Sequence, residues 1–244
     1  MDNIFSREQL LLGDKALDKL KNSRVAVFGV GGVGGYVVEV LARCGVGFID
    51  VIDNDTVDYS NINRQIIATV DKVGQNKVDV IAERIKLINP NAQVQAHNCF
   101  FLPENSNSID FTVFDYVVDA IDTVSGKIEI IVKAKENNIP VISCMGAGNK
   151  LDPTAFVVTD IYKTSVCPLA RVMRQQMKKR GIKNLKVVYS TEQAIKPNYS
   201  EYDIASADSD NNRKKLPPGS IAFVPSVAGI IAGSEVIKDL LADI

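Results

Sequence analysis

The run Gly29-Val-Gly31-Gly32-Val-Gly34 constrains this chain more than any other feature, because it ends the apolar segment Arg24-Val-Ala-Val-Phe-Gly-Val30 and opens a helical pattern. That segment is short, β-branched and without polar alternation, which suits a strand buried on both faces of a parallel sheet. Glycines where a strand gives way to a helix let backbone N–H groups and the helix N-terminus approach a phosphate; the plainer use of such a turn is close packing. Similar apolar runs recur at 48–53, 93–98, 116–119 and 140–145, with helical patterns at 34–44, 75–88 and 125–137. Strands alternating with helices imply right-handed crossovers. The expected fold is α/β, a Rossmann-like doubly wound and mainly parallel sheet.

After Met145 the rhythm changes, to a strand at 155–160, a basic helix at 168–180 and a strand at 185–190, read as antiparallel strands added in the C-terminal part. A stretch rich in Ser, Asp, Asn and Pro, at about 197–220, is expected to be a mobile loop. Pro225 then introduces a helix ending near Leu241. Ahead of the first strand, 6–12 and 14–21 read as short helices with Ser6 and Asp14 as N-caps. At 244 residues the chain has room for one domain, divided as 1–22, 23–150 and 151–244.

Asp53 ends the second strand nineteen positions after Gly34, where a carboxylate usually holds ribose hydroxyls. The nucleotide could still be NAD, so the residues that follow decide: Asp53-Asn-Asp55-Thr-Val-Asp-Tyr-Ser60-Asn61-Ile-Asn63-Arg64-Gln65, then Lys77. A dehydrogenase has no need of Arg64 and Lys77 just beyond its ribose carboxylate. A triphosphate under attack does, because cations neutralise charge that moves onto phosphate oxygens as pyrophosphate leaves. Asp122, in Asp119-Ala-Ile-Asp122, falls where the fourth strand ends and can hold magnesium, which prefers a carboxylate plus phosphate oxygens. Thr123 and Ser125 compete for the helix cap there.

In this order the motifs Gly-x-Gly-Gly-x-Gly, Asp-x-Asp, Ser-Asn-x-x-Arg-Gln, a Lys thirteen residues after that Arg, and Asp-x-x-Asp resemble the adenylating family of ubiquitin-activating enzymes and the ThiF and MoeB proteins. The resemblance implies acyl-adenylate formation from a carboxylate and ATP with Mg2+. Gly29, Gly31, Gly32, Gly34, Asp55 and Gln65 would shape the nucleotide site. Asp53 would hold the ribose, Asn61, Arg64 and Lys77 the phosphates, and Asp122 the metal; Arg7 would reach the ATP of a partner subunit in a homodimer. Further segments, among them Phe5-Ser-Arg7, Ala147-Gly-Asn-Lys-Leu-Asp152-Pro-Thr154 and Ala222-Phe-Val-Pro-Ser-Val-Ala-Gly229, resemble the branch that dehydrates N6-threonylcarbamoyladenosine at position 37 of tRNA to its cyclic form. That resemblance spans nearly the whole chain. The alternative left open is adenylation of the C-terminus of a ubiquitin-like or sulfur-carrier protein.

The cysteines bear on that choice. Cys44, Cys99, Cys144 and Cys167 form no Cys-x-x-Cys pair, so no disulfide framework and no zinc are expected, whereas zinc in the sulfur-carrier branch is held by two such pairs. Cys167 precedes the basic helix, where a thioester cysteine could stand. A substrate with an internal nucleophile needs none, and Cys167 is read as structural. His97, the only histidine, lies in a strand with no partner motif and is read likewise.

A net charge of −1 gives no argument for nucleic acid from the chain as a whole. Between positions 161 and 191, however, there is no acidic residue, and Lys163, Arg171, Arg174, Lys178, Lys179, Arg180, Lys183 and Lys186 all fall there. Lys163, Arg171, Arg174, Lys178, Lys179 and Arg180 are expected to meet tRNA phosphates, assisted by Arg213, Lys214 and Lys215. No apolar run of about 18 residues is present and the first residues lack the order of a secretory signal, so a cytoplasmic location without membrane contact is expected.

Overall fold

The structure, a computed structural model, describes residues 4–199 and 217–244. Arg213, Lys214, Lys215 and most of the stretch expected to be a loop lie outside the described residues. Among those described, β1 Arg24–Phe28, β2 Phe48–Asp53, β3 Gln93–Asn98, β4 Tyr116–Asp119, β5 Val141–Cys144, β6 Phe156–Asp160 and β7 Lys186–Ser190 form one sheet. Its order is β3-β2-β1-β4-β5-β7-β6. Every neighbouring pair is parallel except β6 with β7. Of the two strands added after Met145, then, β7 continues the parallel sheet and β6 alone runs against it at the edge.

The strand period of two divides β1 between two cores. Val25 and Val27 enter the cluster built with α3 Gly34–Arg43, α4 Lys77–Ile88 and α7 Phe223–Leu240. Ala26 and Phe28 enter the one built with α5 Val124–Glu136 and α6 Pro168–Lys179. All four are fully buried, as a central strand covered on both faces must be. On the first face α7 crosses α3 closely enough that a Cβ on Gly229 would stand 2.3 Å from the Val33 carbonyl oxygen and one on Gly233 2.8 Å from Val40 Cβ. Glycine at both positions is what lets these helices touch.

Several boundaries differ from the sequence reading. Ser6 and Asp14 are the first residues of α1 Ser6–Leu12 and α2 Asp14–Asn22, not their caps; Phe5 and Gly13 stand at the cap positions, where no side chain caps the helix. Asp14 instead accepts the Gln9 amide at 2.5 Å, tying the two helices together. α7 begins at Phe223, with Pro225 in the first turn, where its missing N–H is not needed. α4 begins at Lys77 because Asn76 is held in a bridge to Thr56, while Val57 N–H donates to the Gln75 carbonyl at 2.8 Å.

Candidate active site

The carboxyl ends of β1, β2 and β4 open on a cleft of about 470 Å³. Gly29, Gly31, Gly32, Asp53, Asp55, Asn61, Arg64, Gln65, Lys77 and Asp122 all line it. Gly34 lies buried behind the glycine loop: a Cβ there would fall 1.7 Å from the Gly29 carbonyl oxygen, so the helix can start at this point only with glycine. Gly29 has φ +86°, in the region that glycine alone enters cheaply. The wall so made is bare backbone at the N-terminus of α3.

Asp53 is fixed from two sides, Oδ2 accepting Val30 N–H at 2.8 Å and Oδ1 accepting Asp55 N–H at 2.9 Å. Beyond it, Asp58 caps the single turn Tyr59–Asn61. Its carboxylate accepts Ser60 N–H at 2.7 Å, and hydrogen bonds from Ser60 hold it below the usual carboxylate range. Asn61, 8% exposed, returns the favour by accepting Asp58 N–H at 3.1 Å. That turn delivers Arg64, whose Nη1 donates to the Ser60 carbonyl at 2.6 Å and to Asn63 Oδ1 at 3.0 Å. Gln65 is only 6% exposed, and its Oε1 is buried without a partner. A buried carboxamide oxygen left unpaired is costly, and such a group in a cleft is ready to receive a donor.

The bridge between Thr56 and Asn76 sets Lys77 Nζ 2.7 Å from Asp55 Oδ2, across 22 residues of sequence. Lys77 is itself buried. Opposite, Asp122 is exposed on the loop between β4 and α5. Thr123 takes the cap position of α5, though without a side-chain bond. The loop is held from below by a pair that sequence reasoning missed. Lys127 and Asp119 are both fully buried, 2.9 Å apart, and Lys127 Nζ also donates to the carbonyls of Ile121 at 3.0 Å and Cys144 at 2.8 Å. Ser143 Oγ adds a bond to Asp119 at 2.5 Å. Lys127 shares the apolar stripe of α5 with Ile130, Ile131 and Ala134, and a lysine on such a stripe was the available signal.

Other lining residues carried no motif: Cys99, Phe100 and Phe101 after β3, and Pro217, Pro218 and Ser220 ahead of α7; Ala147 and Gly148 after β5 line it too, from a segment singled out by its resemblance but given no role in the site. Among the described residues no group of three or more His, Cys, Asp or Glu is gathered as a metal cage. A lone exposed Asp122 beside a glycine loop and two cations suits a magnesium ion that arrives with phosphate oxygens, since that ion takes one or two carboxylates and keeps its other positions for phosphate and water.

Arg7 is not brought to this cleft; it is exposed on α1. The basic residues lie elsewhere again. Ala170, Met173 and Met177 bury one face of α6, which leaves Arg171, Lys178 and Lys179 exposed, with Lys163 and Arg180 exposed at either side. Arg174 is half-buried and engaged, Nη1 donating to the Thr164 carbonyl at 2.8 Å and to its Oγ1 at 2.5 Å. Lys186 is neutralised by α7, 2.7 Å from Asp239 and 3.3 Å from Glu235. A stretch free of acids in sequence is thus not free of them in space.

Cys167 occupies the cap of α6, buried, with Sγ 3.5 Å from Ala170 N–H, a structural placement. His97 does have a partner: Nε2 lies 2.9 Å from Asp50 Oδ1, and Arg24 Nε donates to the other oxygen at 2.8 Å. Among the described residues no helix is long and apolar enough to cross a membrane.

The model of the ThiF family matches residues 5–243. The tRNA threonylcarbamoyladenosine dehydratase of Bacillus subtilis (strain 168) is 45% identical over 242 residues, covering 98% of this chain and 95% of that protein. A crystal structure of the Escherichia coli tRNA N6-threonylcarbamoyladenosine dehydratase, TcdA, in complex with ATP superposes with a TM-score of 0.84 at 35% identity, over 98% of this chain and 93% of that one. The same E. coli protein in complex with AMP gives a TM-score of 0.85 at 35% identity, over 98% and 94%. A glycine loop, the Asp53 carboxylate and two cations in one cleft, within a match that runs almost from end to end, have one common account: the chain belongs to the ThiF family.

Proposed function

We propose that this protein is an ATP-dependent tRNA threonylcarbamoyladenosine dehydratase. The observation that carries the reading is that segments apart in sequence bring Asp53, Arg64, Lys77 and Asp122 to one glycine-walled cleft, in a chain similar over nearly its full length to dehydratases solved with ATP and AMP.

The glycine loop and the N-terminus of α3 receive the phosphates through backbone N–H groups. Asp53 holds the ribose. Asn61, Arg64 and Lys77 hold the phosphates, with Asp55 keeping Lys77 in place, and Gln65 supplies its unpaired carboxamide oxygen to a donor on the nucleotide. Asp122 holds magnesium, which when bound neutralises phosphate charge. The threonyl carboxylate, ionised at neutral pH, attacks the α-phosphorus with no general base and expels pyrophosphate. An internal nucleophile of the modified side chain then attacks the activated carbonyl, loses its proton and expels AMP. One carboxylate oxygen leaves with the AMP, so the nucleoside loses one water. Arg64 and Lys77 are fixed before the reaction, so they stabilise the charge that grows on the phosphates without reorganising.

The exposed residues Lys163, Arg171, Lys178, Lys179 and Arg180 provide a phosphate-binding face for tRNA, and the protein works in the cytoplasm as a homodimer. The whole chain acts as one adenylating domain, its 151–244 part facing the tRNA. The test is pyrophosphate release with tRNA bearing threonylcarbamoyladenosine, with unmodified tRNA, and with a sulfur-carrier protein ending in a free carboxylate. Release with the modified tRNA alone supports the reading; release with the carrier protein alone sinks it.

A further inference from the structure

Asn63 occupies a position that the Ser-Asn-x-x-Arg-Gln motif leaves open, yet it joins two walls of the cleft. Its Oδ1 accepts Arg64 Nη1 at 3.0 Å, and its Nδ2 donates to the Ser220 carbonyl at 3.0 Å, across 157 residues of sequence. Ser220 ends a short strap, Pro217-Pro218-Gly219-Ser220, that is pinned at its other side by a two-way clasp. Gly219 N–H donates to Asn149 Oδ1 at 2.6 Å, and Asn149 N–H donates to the Gly219 carbonyl at 2.7 Å. Asn149 has φ +59°, a left-handed conformation that asparagine tolerates better than other side chains and that the clasp helps to hold. Gly148 leaves no room for a side chain, since a Cβ there would meet Pro218 Cβ at 2.8 Å. Pro217, Pro218, Ser220 and Arg64 all line the cleft. The strap therefore stretches between the loop after β5 and the turn that carries Arg64, and the Asn63 side chain bonds it to that turn.

A guanidinium on a flexible stem loses rotamer freedom when it must hold one position, and a fixed acceptor beside it removes that loss beforehand. Nη1 is occupied by Ser60 and Asn63, which leaves Nε and Nη2 of Arg64 as the donors available to a ligand. We infer that Asn63 is a positioning residue, which locks Arg64 in its phosphate-binding orientation by bracing it against the Ser220 strap. The inference rests on the phosphate role proposed for Arg64. Asn63 is exposed, so its replacement leaves both cores untouched.

The test is a double-mutant cycle on AMP release from magnesium ATP and modified tRNA. Asn63→Ala should lower kcat about ten- to a hundredfold, the range expected when a catalytic group is displaced by up to about 1 Å, with the thermal midpoint unchanged. In an Arg64→Ala background the same substitution should have no further effect, because its target is gone. Equal losses in both backgrounds would mean that Asn63 acts on the fold or through another group, and would overturn the inference. So would full kcat in Asn63→Ala beside a crippled Arg64→Ala. Full kcat in Arg64→Ala itself would overturn the inference together with the phosphate role it rests on, and so separates the two failures.

Discussion

Lys127 has no water to fall back on: it and Asp119 are both fully buried, and its ammonium group binds one carboxylate and two carbonyls. Breaking such a pair from one side leaves an uncompensated charge and typically costs about 3–5 kcal/mol. Lys127→Met should therefore lower the thermal midpoint steeply, and adding Asp119→Asn should recover part of the loss; a single variant as stable as wild type would contradict this account of the Asp122 loop. Asp50 offers a second residue-scale test. Burial pushes its carboxyl up, but hydrogen bonds from His97 and Arg24 outweigh burial and hold it below the ordinary range. Its contribution to stability is then complete above about pH 4, the unfolded carboxylate value, and is lost as pH falls through the lower folded value. His97→Gln should raise the pH at which the protein unfolds in acid, followed by circular dichroism, and an unchanged midpoint would leave the bond to His97 without a role. The positions of Asp53, Arg64, Lys77 and Asp122 were legible in the sequence because motif spacing carries them. Lys127 and Asn63 were not, because what marks them is where a side-chain nitrogen ends up.

At the scale of elements, the sequence predicted strands and helices wherever apolar periodicity was strong, as in β2, β3 and β4, whose bounds agree to the residue. It failed where backbone pairing overrode local pattern. α4 starts two residues later than the 75–88 pattern suggests because the Thr56–Asn76 bridge holds the chain extended, and that same bridge brings Lys77 to Asp55. β7, read as antiparallel, instead continues the parallel sheet beside β5, since a lone strand carries no mark of which neighbour it will pair with. α6 shows the limit of charge counting. Its basic residues divide into exposed ones and those engaged by the fold, Arg174 by Thr164 and, beyond the helix, Lys186 by Asp239. Lys178→Glu with Lys179→Glu should weaken tRNA binding and flatten its dependence on salt by about one unit of slope for each lost contact, leaving ATP binding unchanged. Undiminished binding measured across a salt series would move the tRNA face away from α6.

For the whole molecule the open element is α1, which presents Arg7 to solvent beside the exposed side chains of Leu10 and Leu11. If Arg7 serves the neighbouring subunit's phosphates, mixing Arg7→Ala with Asp122→Ala subunits creates one complete site per heterodimer, and activity should recover towards half of normal. Mixing that restores nothing, with subunit exchange confirmed by mass, would confine Arg7 to its own chain. Losing a single preorganised donor to transition-state charge costs about 2.7–4 kcal/mol, so each parent alone should be slower by roughly a hundredfold or more. Fold, cleft and the tRNA face proposed on α6 meet in one claim, that adenylation here serves ring closure on a tRNA nucleoside. Mass spectrometry of nucleosides digested from tRNA after incubation with the protein and magnesium ATP tests it most directly. The account predicts that threonylcarbamoyladenosine is replaced by a species lighter by one water, with one AMP formed per nucleoside converted and no conversion when Lys77→Ala is used. Threonylcarbamoyladenosine recovered at its original mass while the protein still adenylates another carboxylate would contradict it.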